Sequence, residues 1–301
     1  MASYRTPRQT RLNMNKVCYI EKNDIAATLC CWIYCAHHML WAAHNAGMDG
    51  YIHWPNHPNL SLFGHRDPQK FSEIPNQYEW WFEQPFRRDN PPRDVTWLWE
   101  SGWPAVPGLM NQGLPAIKAW YQKYLIIKPE IVARADALLA KYNVTPDNLI
   151  GTSWRGCEAA FDPDRGPLVP NAGGQEHSRE SIENYFPHID AILEKEPHLK
   201  IFATAEEDQV AEKIVARYPN NAFMMSEFFK APRGYGSVGQ PQQSGWINPA
   251  SGYERGVQTC ILISILSRCK HYVKNRSNMS QTASYLSNNH VVYVNCPEIC
   301  V

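Results

Sequence analysis

From Leu149 to Val294 the chain repeats one pattern, a short apolar run of strand length followed by a stretch with helical periodicity. Leu149–Trp154, Leu199–Thr204, Asn221–Met225, Lys270–Lys274 and Val291–Val294 read as strands. Ser178–Glu194, Glu206–Arg217, Gly256–Ser267 and Ser280–Leu286 read as the helices between them. Strands joined by helices must run parallel, and a parallel sheet buries both faces under those helices. The pattern therefore predicts an α/β, doubly wound sheet.

The first half starts in the same way. Lys16–Ile20 reads as a strand, Asn23-Asp24 as a turn and helix cap, Ala26–Ala46 as a helix, and Gly50–Trp54 as a second strand. Residues 55–107, rich in Pro, Trp and Asn, read as a long irregular insert with short elements, and 230–251 as a loop. Pro115–Lys128 and Pro129–Tyr142 read as helices. The pattern resets near residue 145. The expected organisation is a basic leader over 1–15, an α/β domain over 16–145, and a second α/β domain over 146–301, with a cleft between the two domains.

Composition narrows the classes of function. Lys+Arg and Asp+Glu both number 29, so a polyanion-binding surface is not indicated. The apolar run Cys260–Leu266 is far shorter than the roughly 18 residues of a membrane span. Met1–Asn15 is polar and lacks the apolar core of a secretory signal, so a cytoplasmic protein with reduced thiols is expected. Cys30, Cys31, Cys35 and His37-His38 raise zinc, but no C-x-x-C pair occurs, and no metal site is expected. No G-x-G-x-x-G follows the strands, and no P-loop is present.

Ligands of doubly wound sheets bind beyond the carboxyl ends of the strands. Those ends carry Ser153 and Arg155, Thr204 to Glu207, Ser226-Glu227, and Asn275 to Ser280. An arginine and a helix start rich in Ser and Asn suit a diphosphate held without a glycine-rich loop. Ser277, Asn278 and Ser280 also suit ordinary capping. Glu158, Asp162 and Asp164 follow Arg155 and are candidates for a general base, with Asp24 and Glu79 from the first half as rivals. Asp162-Pro163-Asp164 also reads as a D-x-D metal motif, the less favoured alternative because no good strand precedes it. Glu79, Trp80 and Trp81 in the run Asn76–Phe86 suit an acceptor sugar, the aromatic faces for stacking and the carboxylate for hydroxyls; packing of the insert is the competing reading.

Three of these segments together resemble the NodZ-like and α1,6-fucosyltransferases. They are Ile150–Glu158, Ile201–Glu206 and Leu266–Ser280, and they occur in the family's order. The resemblance implies a GT-B fold and an inverting, metal-independent glycosyltransferase that uses a GDP-sugar, GDP-fucose in the family, and a glycan acceptor. By position it implies Arg155 on the β-phosphate, Glu206 on the guanine, and Ser277, Asn278 and Ser280 around the phosphates. The family's histidine before the arginine is Ser153 here, its second arginine is Gly156, and Ala205-Glu206 stand where it has aspartates. These departures leave room for another nucleotide, such as a UDP-sugar, or for a non-catalytic binding relative.

Overall fold

A computed structural model describes residues 16–22, 29–54, 68–86, 91, 93–99, 108–155, 161–162, 166–167, 181–205, 208–228 and 252–296 of the chain. The strands are β1 (Val17–Lys22), β2 (Asp49–His53), β3 (Phe82–Glu83), β4 (Val95–Trp99), β5 (Ile126–Ile127), β6 (Leu149–Trp154), β7 (Phe161–Asp162), β8 (Gly166–Pro167), β9 (Lys200–Ala205), β10 (Ala222–Phe223), β11 (His271–Lys274) and β12 (His290–Tyr293). The helices are α1 (Leu29–Asn45), α2 (Pro68–Glu73), α3 (Leu114–Tyr124), α4 (Pro129–Lys141), α5 (Phe186–Lys195), α6 (Asp208–Arg217), α7 (Gly252–Arg268) and α8 (Asn278–Leu286).

Two parallel sheets result. The first has the order β2-β1-β4 and the second β10-β9-β6-β11-β12. Every residue of β6 is buried, as a central strand covered on both faces requires. Ile150 and Trp154 pack on one side with Ile189 of α5 and Ile214 of α6. Leu149 faces the other side, with Leu266 of α7 and Tyr272. A Cβ on Gly151 would lie 2.8 Å from Cys269 Sγ and Leu266 Cδ2, so only glycine lets α7 lie this close to the sheet.

The helix α7 is apolar around most of its circumference because it is covered by the sheet, α4 and α8. Two ion pairs fix α4 along it, Arg134 with Glu254 at 2.5 Å and Arg268 with Asp136 at 2.6 Å. The apolar cluster around α7 continues without a break through α3 and α8 into α1 and the first sheet. Trp81 joins this core from the first half. Its indole lies on Gly256, where a Cβ would come within 2.4 Å of three of its ring atoms, and its Nε1 donates to the Tyr253 carbonyl at 3.0 Å.

One of the short elements expected in the irregular insert is a strand of the first sheet. Val95–Trp99 pairs in parallel with β1, from Cys18↔Val95 to Lys22↔Trp99, and completes the first sheet. The Pro-rich segment before it hid a short strand. The helix expected over Pro115–Lys128 stops at Tyr124, because Ile126-Ile127 pair with Phe82-Glu83 as β5. The helix expected from Ser178 is described from residue 182, as a 3-10 turn at Ile182–Tyr185 followed by α5. The turn at 23–24, the leader 1–15 and the loop 230–251 lie outside the described residues.

Asn76 and Gln84 show why the insert is rich in amides. The edge strand β2 exposes backbone groups that need partners. Asn76 Oδ1 accepts from Trp54 N at 2.9 Å, while Gln84 accepts from Ile52 N at 3.1 Å and donates to Ile52 O at 2.7 Å.

Two consequences are measurable. Gly256→Ala drives a methyl group into the Trp81 indole, and overpacking of this kind costs about 1–3 kcal/mol. Its urea midpoint is expected to fall, and an unchanged midpoint contradicts the packing. His37 and His38 are buried in α1, and burial holds their imidazoles down to about 3 and about 4. The unfolded chain protonates them near pH ~6.5, so stability is complete above that pH and is lost on acidification. Roughly 2 kcal/mol per imidazole is expected to disappear between pH 6.5 and pH 5. Equal urea midpoints at pH 7 and pH 5 would contradict this.

Candidate active site

In the second sheet the connections β6→β9→β10 run to one side and β11→β12 to the other. The carboxyl ends of β6 and β11 therefore flank the topological switch point, where the helices diverge and leave a crevice. Arg155 follows β6 and Asn275 follows β11. The buried Asn275 amide clasps the Arg155 backbone, accepting from its N–H at 3.0 Å and donating to its carbonyl at 2.9 Å. A side chain thus extends the ladder by one residue and holds the arginine at the crevice floor.

The start of α8 lies beside this clasp. Ser277 Oγ accepts from Ser280 N at 3.0 Å, and Ser280 Oγ accepts from Ser277 N at 3.1 Å, a reciprocal capping box. Ser280 Oγ also donates to the Asn275 carbonyl at 2.8 Å, so the cap and the clasp share a residue. Asn278 turns outward from the second sheet and donates to Cys31 Sγ in the first turn of α1 at 2.8 Å. Burial raises the thiol of the adjacent Cys30, and the Arg155 charge works in the opposite direction.

This geometry orients the two sheets. A helix that follows a parallel strand begins at that strand's carboxyl edge. α1 follows β1 and α8 follows β11, so contact between the two helix starts brings the carboxyl edges of both sheets together. Two helix N-termini, each carrying partial positive charge, converge with Arg155. Lys274, fully buried at the end of β11, donates from Nζ to Gln281 Oε1 at 2.6 Å and lies 4.8 Å from the Tyr293 ring centroid. Such a concentration of donors and positive charge suits a diphosphate.

The expected residues separate into groups. Arg155, Ser277, Asn278 and Ser280 come together at this point, although the Ser280 hydroxyl is buried and committed to the cap. Ser153 is turned into the core, its hydroxyl 2.6 Å from the Tyr272 hydroxyl, so it is not presented to the crevice. Thr204 is buried at the end of β9, and its N–H binds Thr152 Oγ1 at 3.3 Å. Ser226 is exposed, and its N–H binds the Tyr142 hydroxyl at 3.0 Å beyond the end of α4. Glu158, Asp164, Glu206 and Asp24 lie outside the described residues, and of Asp162 only the backbone, paired with Gly166, is described.

The acceptor-side expectation needs correcting for Trp80 and Trp81. Each is 1% exposed, so neither ring has a face open to a sugar. Trp80 donates to the Ile74 carbonyl at 2.8 Å and packs against Trp81. Glu79 belongs to the knot that fixes β2: its Oε1 accepts from Tyr51 at 2.7 Å, Gln84 at 3.0 Å and Asn76 at 3.1 Å. Asn275 entered the sequence reading as part of the strand end at the crevice but without its role as a clasp, since nothing local announces a bond to a residue 120 positions away.

No protein-family model matches the chain, and no curated protein matches it in sequence. Solved structures do match in three dimensions. A variant of Arabidopsis thaliana FUT1 in complex with GDP superposes with a TM-score of 0.52 at 11% identity, covering 96% of this chain and 74% of that one. The fucosyltransferase NodZ from Bradyrhizobium gives a TM-score of 0.47 at 13% identity, covering 90% of this chain and 93% of that one. A family 9 glycosyltransferase from Veillonella parvula gives a TM-score of 0.39 at 10% identity, covering 94% of this chain and 87% of that one. The chain has a GT-B-like α/β fold, and the resemblance carried by the three segments is met at the level of fold. Among the described residues no helix is long and apolar enough to cross a membrane.

Asn275→Ala leaves the Arg155 N–H and carbonyl without their partner. Unsatisfied buried groups cost about 1–3 kcal/mol, so the urea midpoint is expected to fall by a corresponding amount. A variant as stable as the parent chain contradicts the clasp.

Proposed function

We propose that this chain is an inverting glycosyltransferase that transfers a sugar, fucose in the first instance, from a GDP-sugar to a glycan hydroxyl without a metal ion. The convergence of Arg155 with the starts of α1 and α8 at the switch point carries this reading. The GDP held by the similarly folded FUT1 variant supports guanine as the first base to test. The division of the chain near residue 145 into an acceptor side and a donor side belongs to the same proposal.

The chemistry follows from charge. As the sugar–phosphate bond breaks, the departing diphosphate gains negative charge, and oriented donors must be in place to receive it. Arg155 offers a planar fork that can make two charge-assisted bonds to one diphosphate. The helix starts add N–H groups and dipoles that need no reorganisation during the reaction. Ser277 and Asn278 hold the α8 start in place, and Glu206 is assigned to the base. Glu158 and Asp162 are the carboxylates the sequence offers to take the proton of the attacking hydroxyl, with Asp24 and Glu79 on the acceptor side as rivals.

A second reading changes the nucleotide. The inward turn of Ser153 leaves no side chain of position 153 to read a base, which favours including UDP-sugars in any donor panel.

Arg155→Ala is expected to lower the rate of GDP release from GDP-fucose at least ~100-fold, the usual loss for one oriented donor to a developing anion. The urea midpoint should change little. Near-parental turnover in the folded variant contradicts the assignment. The parental rate should survive EDTA; loss on chelation, restored by Mn²⁺, would instead favour the Asp162-Pro163-Asp164 reading.

A further inference from the structure

The facing edge of the first sheet carries an acid–histidine pair. Glu21 of β1 and His53 of β2 are direct partners in the parallel register. His53 Nδ1 lies 2.7 Å from Glu21 Oε1, and Arg93 Nη2 binds the same oxygen at 2.6 Å. The carboxylate is the more enclosed partner, its side chain 11% exposed against 24% for the imidazole. Tyr19 and Tyr51 form the floor, their ring centroids 5.7 and 6.4 Å from that of His53. Among the described residues, the charged and titratable groups facing His53 are Glu21 and Tyr19 on β1, Arg93 ahead of β4, and Tyr51 on its own strand, with Glu79 behind Tyr51.

An ionised carboxylate only accepts hydrogen bonds. Glu21 therefore places the imidazole proton on Nδ1 and leaves Nε2 as a bare base, with no hydrogen-bond partner among the described residues. A base whose tautomer is set by a shielded carboxylate is the arrangement needed to take a proton from a hydroxyl. Both residues sit at the carboxyl edge of the first sheet, on the face turned away from α1, and α1 begins at that same edge, where its first turn meets Asn278.

We propose that His53 is the general base of the transfer reaction and Glu21 its positioning residue; this rests on the donor site proposed above. His53 Nε2 takes the proton of the attacking hydroxyl. An oxygen electron pair forms the new bond to the anomeric carbon as the bond from that carbon to the phosphate oxygen breaks. The bonding pair leaves with the nucleoside diphosphate at Arg155, and the imidazolium returns its proton to solvent. Sequence reading missed the pair because the two residues are separated by 32 positions.

The test uses the full chain with GDP-fucose as donor and water as the attacking hydroxyl, and reads GDP release across pH 5 to 9, with GDP affinity measured by calorimetry on the same samples. His53→Gln should lower the rate ~100- to 10,000-fold, the range of general-base contributions, and abolish the acid limb of the pH profile while GDP affinity stays within about twofold. Glu21→Gln should give a smaller loss in rate and populate the Nε2–H tautomer of His53 in ¹⁵N NMR spectra. Normal GDP binding with the parental rate and pH profile in His53→Gln overturns the base assignment alone. Failure of the parental chain to bind GDP or GDP-fucose removes the donor site, and the base assignment with it.

Discussion

The two bonds from the Asn275 amide to the Arg155 backbone hold together what the rest of the structure arranges. They join the ends of β6 and β11 where the sheet would otherwise open. The same residue's carbonyl receives Ser280, which caps α8, and the start of α8 in turn reaches α1 through Asn278. A short chain of hydrogen bonds therefore runs from the floor of one sheet to the first helix of the other. Each bond contributes modestly, about 1 kcal/mol net, but loss of a buried partner costs more than its formation gains. That asymmetry makes the junction specific.

The apolar core does the complementary work. α7 lies between the second sheet, α4 and α8, and Trp81 enters from the insert onto Gly256. Because a single cluster spans both sheets, their carboxyl edges are held facing one another by packing across the whole molecule. Charge is then concentrated at the edges. Arg155 and the two helix starts are positive on one side, and the Glu21–His53–Arg93 group stands on the other. A reaction that expels a diphosphate and deprotonates a hydroxyl needs those two kinds of environment.

Much of this architecture is legible in the sequence, for identifiable reasons. The limits of β6 and α4 follow from apolar period and capping residues, and the crevice rule alone picks out Arg155 and the α8 start. Side-chain orientation is less legible. Ser153 and Arg155 are two positions apart on one strand end, yet Ser153 meets Tyr272 inside while Arg155 meets the crevice. Trp80 and Trp81 suggested a sugar platform by type, but their burial depends on a glycine 175 positions beyond Trp81 in α7. β4 escaped notice because strand length and composition are weak signals beside proline. The pairing of Glu21 with His53 is set by register, which no local pattern encodes.

The central claim is that the junction of Arg155 with the starts of α1 and α8 holds a nucleoside diphosphate. Isothermal titration of the chain with GDP, UDP, ADP and inorganic pyrophosphate in EDTA tests it most directly. The account predicts saturable 1:1 binding of a nucleoside diphosphate, GDP before the others, that weakens at least tenfold in Arg155→Ala. Absence of binding by all four ligands, or equal binding by the Arg155→Ala chain, would contradict it.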